Sequence, residues 1–297
     1  MTGPFAGRET LIAACELAGL NAAGAHLIRA HSNSVWLLPS ESAVVRIGHN
    51  EHKGLRSRAS LTLVRWLAAH QVPVTEPLLD EAIDIGTTTV TFWHYYPQES
   101  RGEPPMKALG TILAQLHALP APPVDLPDYP PLEGFTATLA NPEFQRALTH
   151  DDLDWLNARA HDLLDRYRRF DSRLGYGLIH ADAYVGNCLW DGDRVILGDW
   201  DEACWGPREL DLNNSCHDLR FGSSEDDLAE FFAAYGLSLA DYRGWDGAEV
   251  LFQMRDLHTL TGYIRRAAHG DLLADDQLQY RIRSLRHPST PALWHSL

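Results

Sequence analysis

The chain has 297 residues, 45% hydrophobic and 22% charged, an ordinary composition for a folded chain long enough for two lobes or one large α/β unit. Its formal net charge of −15 repels nucleic acid and anionic membranes, so neither is expected as a partner. No apolar run approaches the roughly 20 residues that a bilayer span requires, and MTGPFAGRETLIAACELAG lacks the basic-then-apolar pattern of a signal peptide.

The first third alternates helix and strand. LIAACELAG places Leu11, Ala14, Cys15 and Ala18 on one helical face. Val35–Leu38 and Ala43–Ile47 read as strands joined by the turn-rich Pro39–Ser42. SLTLVRWLAAH carries a helical stripe of Leu61, Val64, Leu67 and Ala68, and the β-branched, aromatic run Thr87–Trp93 predicts another strand. PQESRGEPP, from Pro97 to Pro105, is the best linker. Beyond it the chain turns helical. MKALGTILAQLHAL repeats Leu109, Ile112, Leu113 and Leu116. A proline-rich loop (Pro120 to Pro131) follows, and then the amphipathic DDLDWLNARAHDLLDRYRRF. After an interlude from Tyr176 to Asp199 helices resume to the end. Cys15, Cys188, Cys204 and Cys216 form no C-x-x-C pair, which argues against zinc and disulfides and favours a reducing cytoplasm.

The interlude carries the chemistry. Tyr176–Ile179 reads as a buried strand ending at His180. Cys188–Trp190 and Arg194–Leu197 read as a hairpin turned at Asp191-Gly192. A hairpin brings its open ends together, so Asn187 and Asp199 should lie within a residue or two of opposite register. Both offer hard oxygen donors, which suits Mg²⁺ completing its shell with water and phosphate. Asp182, five residues before Asn187, could accept a proton from a hydroxyl attacking a metal-bound phosphate. A second match to the same spacing, His150, Asp152 and Asn157, falls at the start of an amphipathic helix, where five residues are about 140° apart around the axis. Asp151 and Asp152 there suit a helix N-terminus.

His180-Ala-Asp182-x-x-x-x-Asn187 followed by Gly198-Asp199-Trp200 resembles the catalytic and metal-binding loops of the aminoglycoside phosphotransferase family, relatives of the protein kinases. GTILAQLHAL, CWGPRELDL and WLAAHQVPVTEP resemble further segments of that family, so the similarity covers most of Ser32 to Leu212. The resemblance implies an α+β, bilobal, protein-kinase-like fold, with a small β-rich nucleotide-binding lobe over residues 1–96 and a larger, mainly helical lobe over 97–297. It implies Asp182 as catalytic base, Asn187 and Asp199 as Mg²⁺ ligands, and His180 and Asp211 as structural supports of the loop. Asp201 and Glu202 could join the metal shell, with solvated surface carboxylates as the plainer reading.

The first lobe departs from the pattern. Its phosphate-covering turn, His31-Ser32-Asn33-Ser34, has no glycine, and would use Ser32, Asn33, Ser34 and backbone N–H groups instead. Arg46 stands where a lysine is expected and can reach phosphate bidentately. Its helical glutamate partner is missing, with Ser60 near that place and Glu51 as a substitute. Trp93, His94 and Tyr95, within Phe92–Tyr96, fall where the resemblance implies a hinge meeting the nucleotide base.

The function expected is Mg²⁺-dependent transfer of the γ-phosphoryl of ATP or GTP to a small-molecule hydroxyl, an aminoglycoside or related natural product first. A peptide Ser/Thr, a sugar or an amino alcohol is the alternative acceptor, and a nucleotide-binding pseudokinase the alternative class. The acidic runs Glu225-Asp226-Asp227 with Glu230, and Asp275-Asp276, would suit a cationic acceptor; Ser223-Ser224 before the first also reads as a helix N-cap.

Overall fold

The computed structural model describes residues 7–30, 33–48, 51–98, 101–287 and 292–295, without the side chains of Ala30, Asn33 and residues 51–54. The first elements are α1 (Arg8–Ala18), β1 (His26–Ala30), β2 (Asn33–Leu38), β3 (Ala43–Gly48), α2 (Glu51–Ala69), β4 (Ile83–Ile85) and β5 (Thr88–His94). Next come α3 (Met106–His117), α4 (Glu133–Ala140), α5 (Pro142–Gln145), α6 (His150–Tyr167), β6 (Tyr176–Ile179), β7 (Cys188–Asp191), β8 (Arg194–Leu197) and β9 (Cys204–Pro207). The last are α7 (Glu209–Cys216), α8 (Glu225–Tyr235), α9 (Leu239–Arg243), α10 (Asp246–Ala268) and α11 (Leu272–Arg286). They gather into two compact units. One is Met1–Pro104 with Ala118–Pro127 and Val185–Cys204; the other is Pro105–His117 with Asp128–Tyr184 and Trp205–Leu297.

In the first unit, strand periodicity decides the faces. Ala43, Val45 and Ile47 of β3 are fully buried, so Val44 and Arg46 between them point to the other side of the sheet. The sheet has five antiparallel strands in the order β1-β2-β3-β5-β4. Register pairs Arg46 with Thr91 and Val44 with Trp93, so Arg46, Thr91 and Trp93 share one face. Leu11, Ala14 and Cys15 of α1 pack on the opposite face with Trp36, Val90 and Phe92. The helix predicted at Ser60 begins at Glu51; EHKGLRSRA has too few apolar residues to show a stripe. The hairpin β7–β8 belongs to this unit, and Leu197 exchanges backbone bonds with Pro73 (2.9 Å) and Thr75 (3.1 Å). The Gln98 amide pairs with both backbone groups of Trp190, accepting from its N–H at 2.9 Å and donating to its carbonyl at 3.1 Å.

The second unit is helical. Met106, Leu109, Ile112, Leu113 and Leu116 of α3 are buried. Gly110 lets α3 approach α8 closely, since a Cβ there would stand 2.3 Å from the Phe231 carbonyl oxygen. The 23-residue α10 buries Val250, Leu251, Met254, Leu257, Leu260 and Ile264. Trp294 is buried with Arg220 and Arg281 over its ring, 4.9 and 4.6 Å from the centroid. β6 pairs with β9, a strand the sequence reading did not separate from its loop. Among the described residues no helix is long and apolar enough to cross a membrane.

Candidate active site

The loop after β6 is held by one buried carboxylate. Asp211, on α7, accepts the backbone N–H of His180 at Oδ2 and that of Ala181 at Oδ1, each at 2.8 Å. His117 Nε2 also donates to Oδ2, at 3.1 Å, which leaves Nδ1 to accept the Tyr235 hydroxyl at 2.9 Å. Burial, then the Asp211 charge, pushes the Tyr235 pKa up, so its proton stays on. Ala181 takes a left-handed conformation, φ 68°, unusual for a residue with a Cβ. Asn214 donates its side-chain N–H to the Ala181 carbonyl at 3.0 Å, so that turn is bound on both sides. His180 is fully buried, and its Nδ1 accepts the Asp182 N–H at 3.3 Å.

Asp182 emerges from this clamp with its side chain 34% exposed, and Arg255 of α10 donates to its Oδ1 at 2.8 Å. The sequence reading missed Arg255. It lies 73 residues from Asp182, and a lone arginine on a long amphipathic helix gives no signal of its own.

The first unit carries the second group of residues. Asn187 closes a short turn before β7, and its carbonyl accepts the Gly198 N–H at 2.9 Å, so it lies opposite the residue before Asp199. That is the juxtaposition the hairpin argument predicts. A Cβ on Gly198 would press Thr75 at 3.0 Å, and Asp199 itself is left-handed, φ 61°. The backbone therefore turns sharply out of β8, while Trp200 anchors the far side, buried and donating to the Leu197 carbonyl at 2.9 Å.

Arg46 Nη2 reaches both Asp199 Oδ1 (2.9 Å) and Asp201 Oδ2 (2.7 Å), with its own side chain 15% exposed. Arg29 Nη2 is 3.7 Å from Asp199 Oδ2. Burial opposes the Arg46 charge, but Asp201 and Asp199 outweigh it and hold the guanidinium pKa above its ordinary value. Asp201 is therefore a half-buried partner of Arg46, which corrects its reading as a solvated carboxylate; Glu202 is exposed and pairs with Arg56. The absent helical glutamate is replaced as Arg46's partner by acids from the far end of the hairpin. Ser60, near its expected place, is buried with no partner for its hydroxyl among the described residues, and the Glu51 side chain lies outside them.

The remaining expected nucleotide contacts divide. Ser32 lies outside the described residues, as does the Asn33 side chain; Ser34 is buried within the β1–β2–β3 pairing. Trp93 is buried, its indole N–H on Thr91 Oγ1 at 2.9 Å. The N–H groups of His94 and Tyr95 donate to the carbonyls of Glu76 (3.1 Å) and Ser42 (2.9 Å), so base recognition cannot use them without breaking these bonds. In the second spacing match, Thr149 caps α6 through Asp152, Arg286 pairs with Asp152, and Asn157 bonds to the Leu153 carbonyl. That group is structural.

Asn187 and Asp199 fit Mg²⁺ by donor chemistry: an amide and a carboxylate oxygen on adjoining positions. Among the described residues no three or more His, Cys, Asp or Glu side chains are grouped to hold a metal ion alone. Two protein oxygens, with water and phosphate completing the shell, is the usual arrangement for Mg²⁺.

Several solved structures share the fold. An amicoumacin kinase bound to AMP-PNP and Ca²⁺ superposes with a TM-score of 0.70 at 15% identity, over 97% of this chain and 96% of that one. A spectinomycin phosphotransferase bound to ADP and spectinomycin gives 0.66 at 15%, over 96% and 95%. A choline/ethanolamine kinase family protein from Mesorhizobium loti gives 0.65 at 18%, over 94% and 95%. These are protein-kinase-like folds, and the α+β reading of the sequence holds. No curated protein sequence matches the chain. The model of the phosphotransferase enzyme family matches residues 26–251, which includes Asp182, Asn187, Asp199 and Asp211 and ends before Arg255, and on that match the chain belongs to this family.

Proposed function

We propose that the protein transfers the γ-phosphoryl group of a nucleoside triphosphate to a hydroxyl of a small molecule, with Asp182 as the base. The observation that carries this is the Asp211 clamp. It orders the backbone at His180 and Ala181, fixing the start of the loop while the Asp182 carboxylate stays partly open to solvent. The acceptor oxygen bonds to the γ-phosphorus as the bond to the β–γ bridging oxygen breaks. The diphosphate leaves with that oxygen, and the hydroxyl proton passes to Asp182.

Asn187 and Asp199 would hold Mg²⁺, which when bound neutralises charge on the β- and γ-phosphates. Arg46 would share Asp199 with the ion and turn part of its guanidinium to a phosphate oxygen, which its bidentate geometry permits. Asp201 keeps Arg46 charged and aimed during that exchange. ATP and GTP are both open as donors, since base recognition does not rest on a residue whose chemistry separates them.

The acidic run at α8 is accounted for by the helix itself. Ser224 and Asp227 form a capping box, and Glu225 pairs with Arg243. The acceptor's charge is better argued from the groups around Asp182.

The test is label transfer from γ-labelled ATP and GTP into a panel of hydroxyl compounds, with and without Mg²⁺. Product that needs Mg²⁺ and disappears in Asp199→Ala supports the reading. Nucleotide binding with neither transfer nor hydrolysis would instead mark a pseudokinase.

A further inference from the structure

We infer that the acceptor carries an anionic group close to its reacting hydroxyl, a carboxylate or a phosphate, and that Arg255 reads it. The inference rests on Asp182 being the base, and it concerns only the helical unit.

Arg255 has more donors than partners. Among the described residues its one hydrogen bond runs from Nη2 to Asp182 Oδ1, and its Nε is buried with no acceptor. A guanidinium has five N–H groups in a planar fork matched to two oxygens of an oxyanion. The Nε is closed to solvent, so the donor that an oxyanion would meet is at the guanidinium end, where the side chain is 16% exposed. A neutral acceptor would leave that donor as it is. An ammonium group would meet Arg255 at like charge.

The rest of the α10 face agrees. Arg255, His258 and Gly262 lie within one stripe of the helix at its i, i+3 and i+7 spacing. The face opens outward along that stripe. Leu251, one turn before Arg255, is buried, whereas His258 and Gly262 are exposed, and a Cβ at Gly262 would meet nothing within 4 Å. Space for a small molecule therefore continues from Asp182 along α10. Of the acids on this helix, Asp256 holds His217 and Arg220, Glu249 meets Gln253 and Arg166, and Asp246 stands in the first turn, away from Arg255. Partial desolvation, then the Arg255 charge, holds the imidazole of the exposed His258 below its ordinary pKa. At neutral pH it thus offers a hydrogen bond and no second charge.

The experiment compares D-glycerate, glycerol and ethanolamine as anionic, neutral and cationic probes, with γ-labelled ATP, Mg²⁺ and the full chain. The inference expects glycerate to lead in kcat/KM by about tenfold or more, the scale of one charge-assisted contact. Arg255→Gln should raise the glycerate KM by about tenfold with the nucleotide KM unchanged, and Arg255→Lys should fall between. Glycerol or ethanolamine matching glycerate overturns the inference. So does an Arg255→Gln enzyme that loses kcat equally on every acceptor with KM untouched, because Arg255 would then only hold Asp182. If glycerate neither reacts nor binds in equilibrium dialysis, the inference also falls. Mg²⁺-dependent hydrolysis of labelled nucleotide that is lost in Asp199→Ala would in that case leave the phosphotransferase reading standing.

Discussion

Two aspartates organise the chemistry-bearing segments, and they are bound in different ways. Asp211 is fully buried and takes backbone N–H groups and a histidine N–H. Its partners cannot leave without unfolding the loop. Asp199 is partly exposed and takes arginine side chains. Arg29 is half exposed and can swing away at the cost of a rotamer change, an exposed pair of the kind that contributes about 1 kcal/mol or less, while the largely buried Arg46 keeps Asp201 when it leaves Asp199. A carboxylate bonded to backbone fixes a shape, whereas one bonded to flexible cations is ready to exchange them for a metal ion and phosphate. On the proposed function, the loop that carries Asp182 would be set by the fold itself, and the Asp199 end would be completed by metal and phosphate.

Removing Asp211 should break the fixed side most severely. Asp211→Ala strands two backbone N–H groups and His117 in the interior, a loss of about 3–5 kcal/mol by comparison with other buried charged partners. Urea unfolding should show it as a large drop in midpoint. Asp199→Ala should leave the midpoint nearly unchanged. Equal loss of stability in both variants would erase the distinction between them.

On the exchangeable side the expected effect is smaller and lies in ligand binding. Asp199→Ala removes a full charge from the Mg²⁺ shell and should weaken Mg²⁺-nucleotide binding by about tenfold or more, whereas Asn187→Ala removes a neutral donor and should cost less. Titration of Mg²⁺ against each variant measures the order. An unchanged metal requirement in both would remove the basis for placing the ion at the hairpin.

How far the sequence reaches follows the same division. The β6 strand, the hairpin turn at Gly192 and the neighbouring positions of Asn187 and Asp199 are set by local patterns, and the strands form where alternation and turn residues place them. Asp211 was legible because its motif follows the loop at short range. The partners of the charged side chains were not. Arg255 reaches Asp182 from 73 residues away, and Asp201 reaches Arg46 across 155; no periodicity encodes such pairings. The backbone partners of His94 and Tyr95, Glu76 and Ser42, were hidden for a related reason, since they depend on how the sheet edge closes. Arg29, whose guanidinium approaches Asp199, gave no signal at all.

The smallest effect expected is on stability against pH. Burial lowers the His217 pKa in the folded chain, against the opposing pull of Asp256, and His258 is held below its ordinary value. Unfolded histidine titrates near 6.5, so below that pH the unfolded chain binds protons that the folded chain refuses. Stability from these groups is complete above about pH 6.5 and is lost as pH falls toward the folded values. His258 has an exposed surface, so the buried His217 should carry most of it. The thermal midpoint should fall between pH 7 and pH 5, and His217→Gln should flatten that slope. A midpoint that rises over the same interval would contradict the assignment.

The central claim is that Asp182 takes the acceptor's proton from a loop built in advance. The most direct measurement is the turnover of Asp182→Asn on a phosphorylated acceptor, alongside its nucleotide affinity and its unfolding midpoint. The account predicts a fall in kcat of roughly 10²–10⁴, with nucleotide affinity and midpoint near those of the parent, because the clamp grips backbone at His180 and Ala181 and leaves the Asp182 carboxylate out of it. Turnover at the parental rate would contradict it.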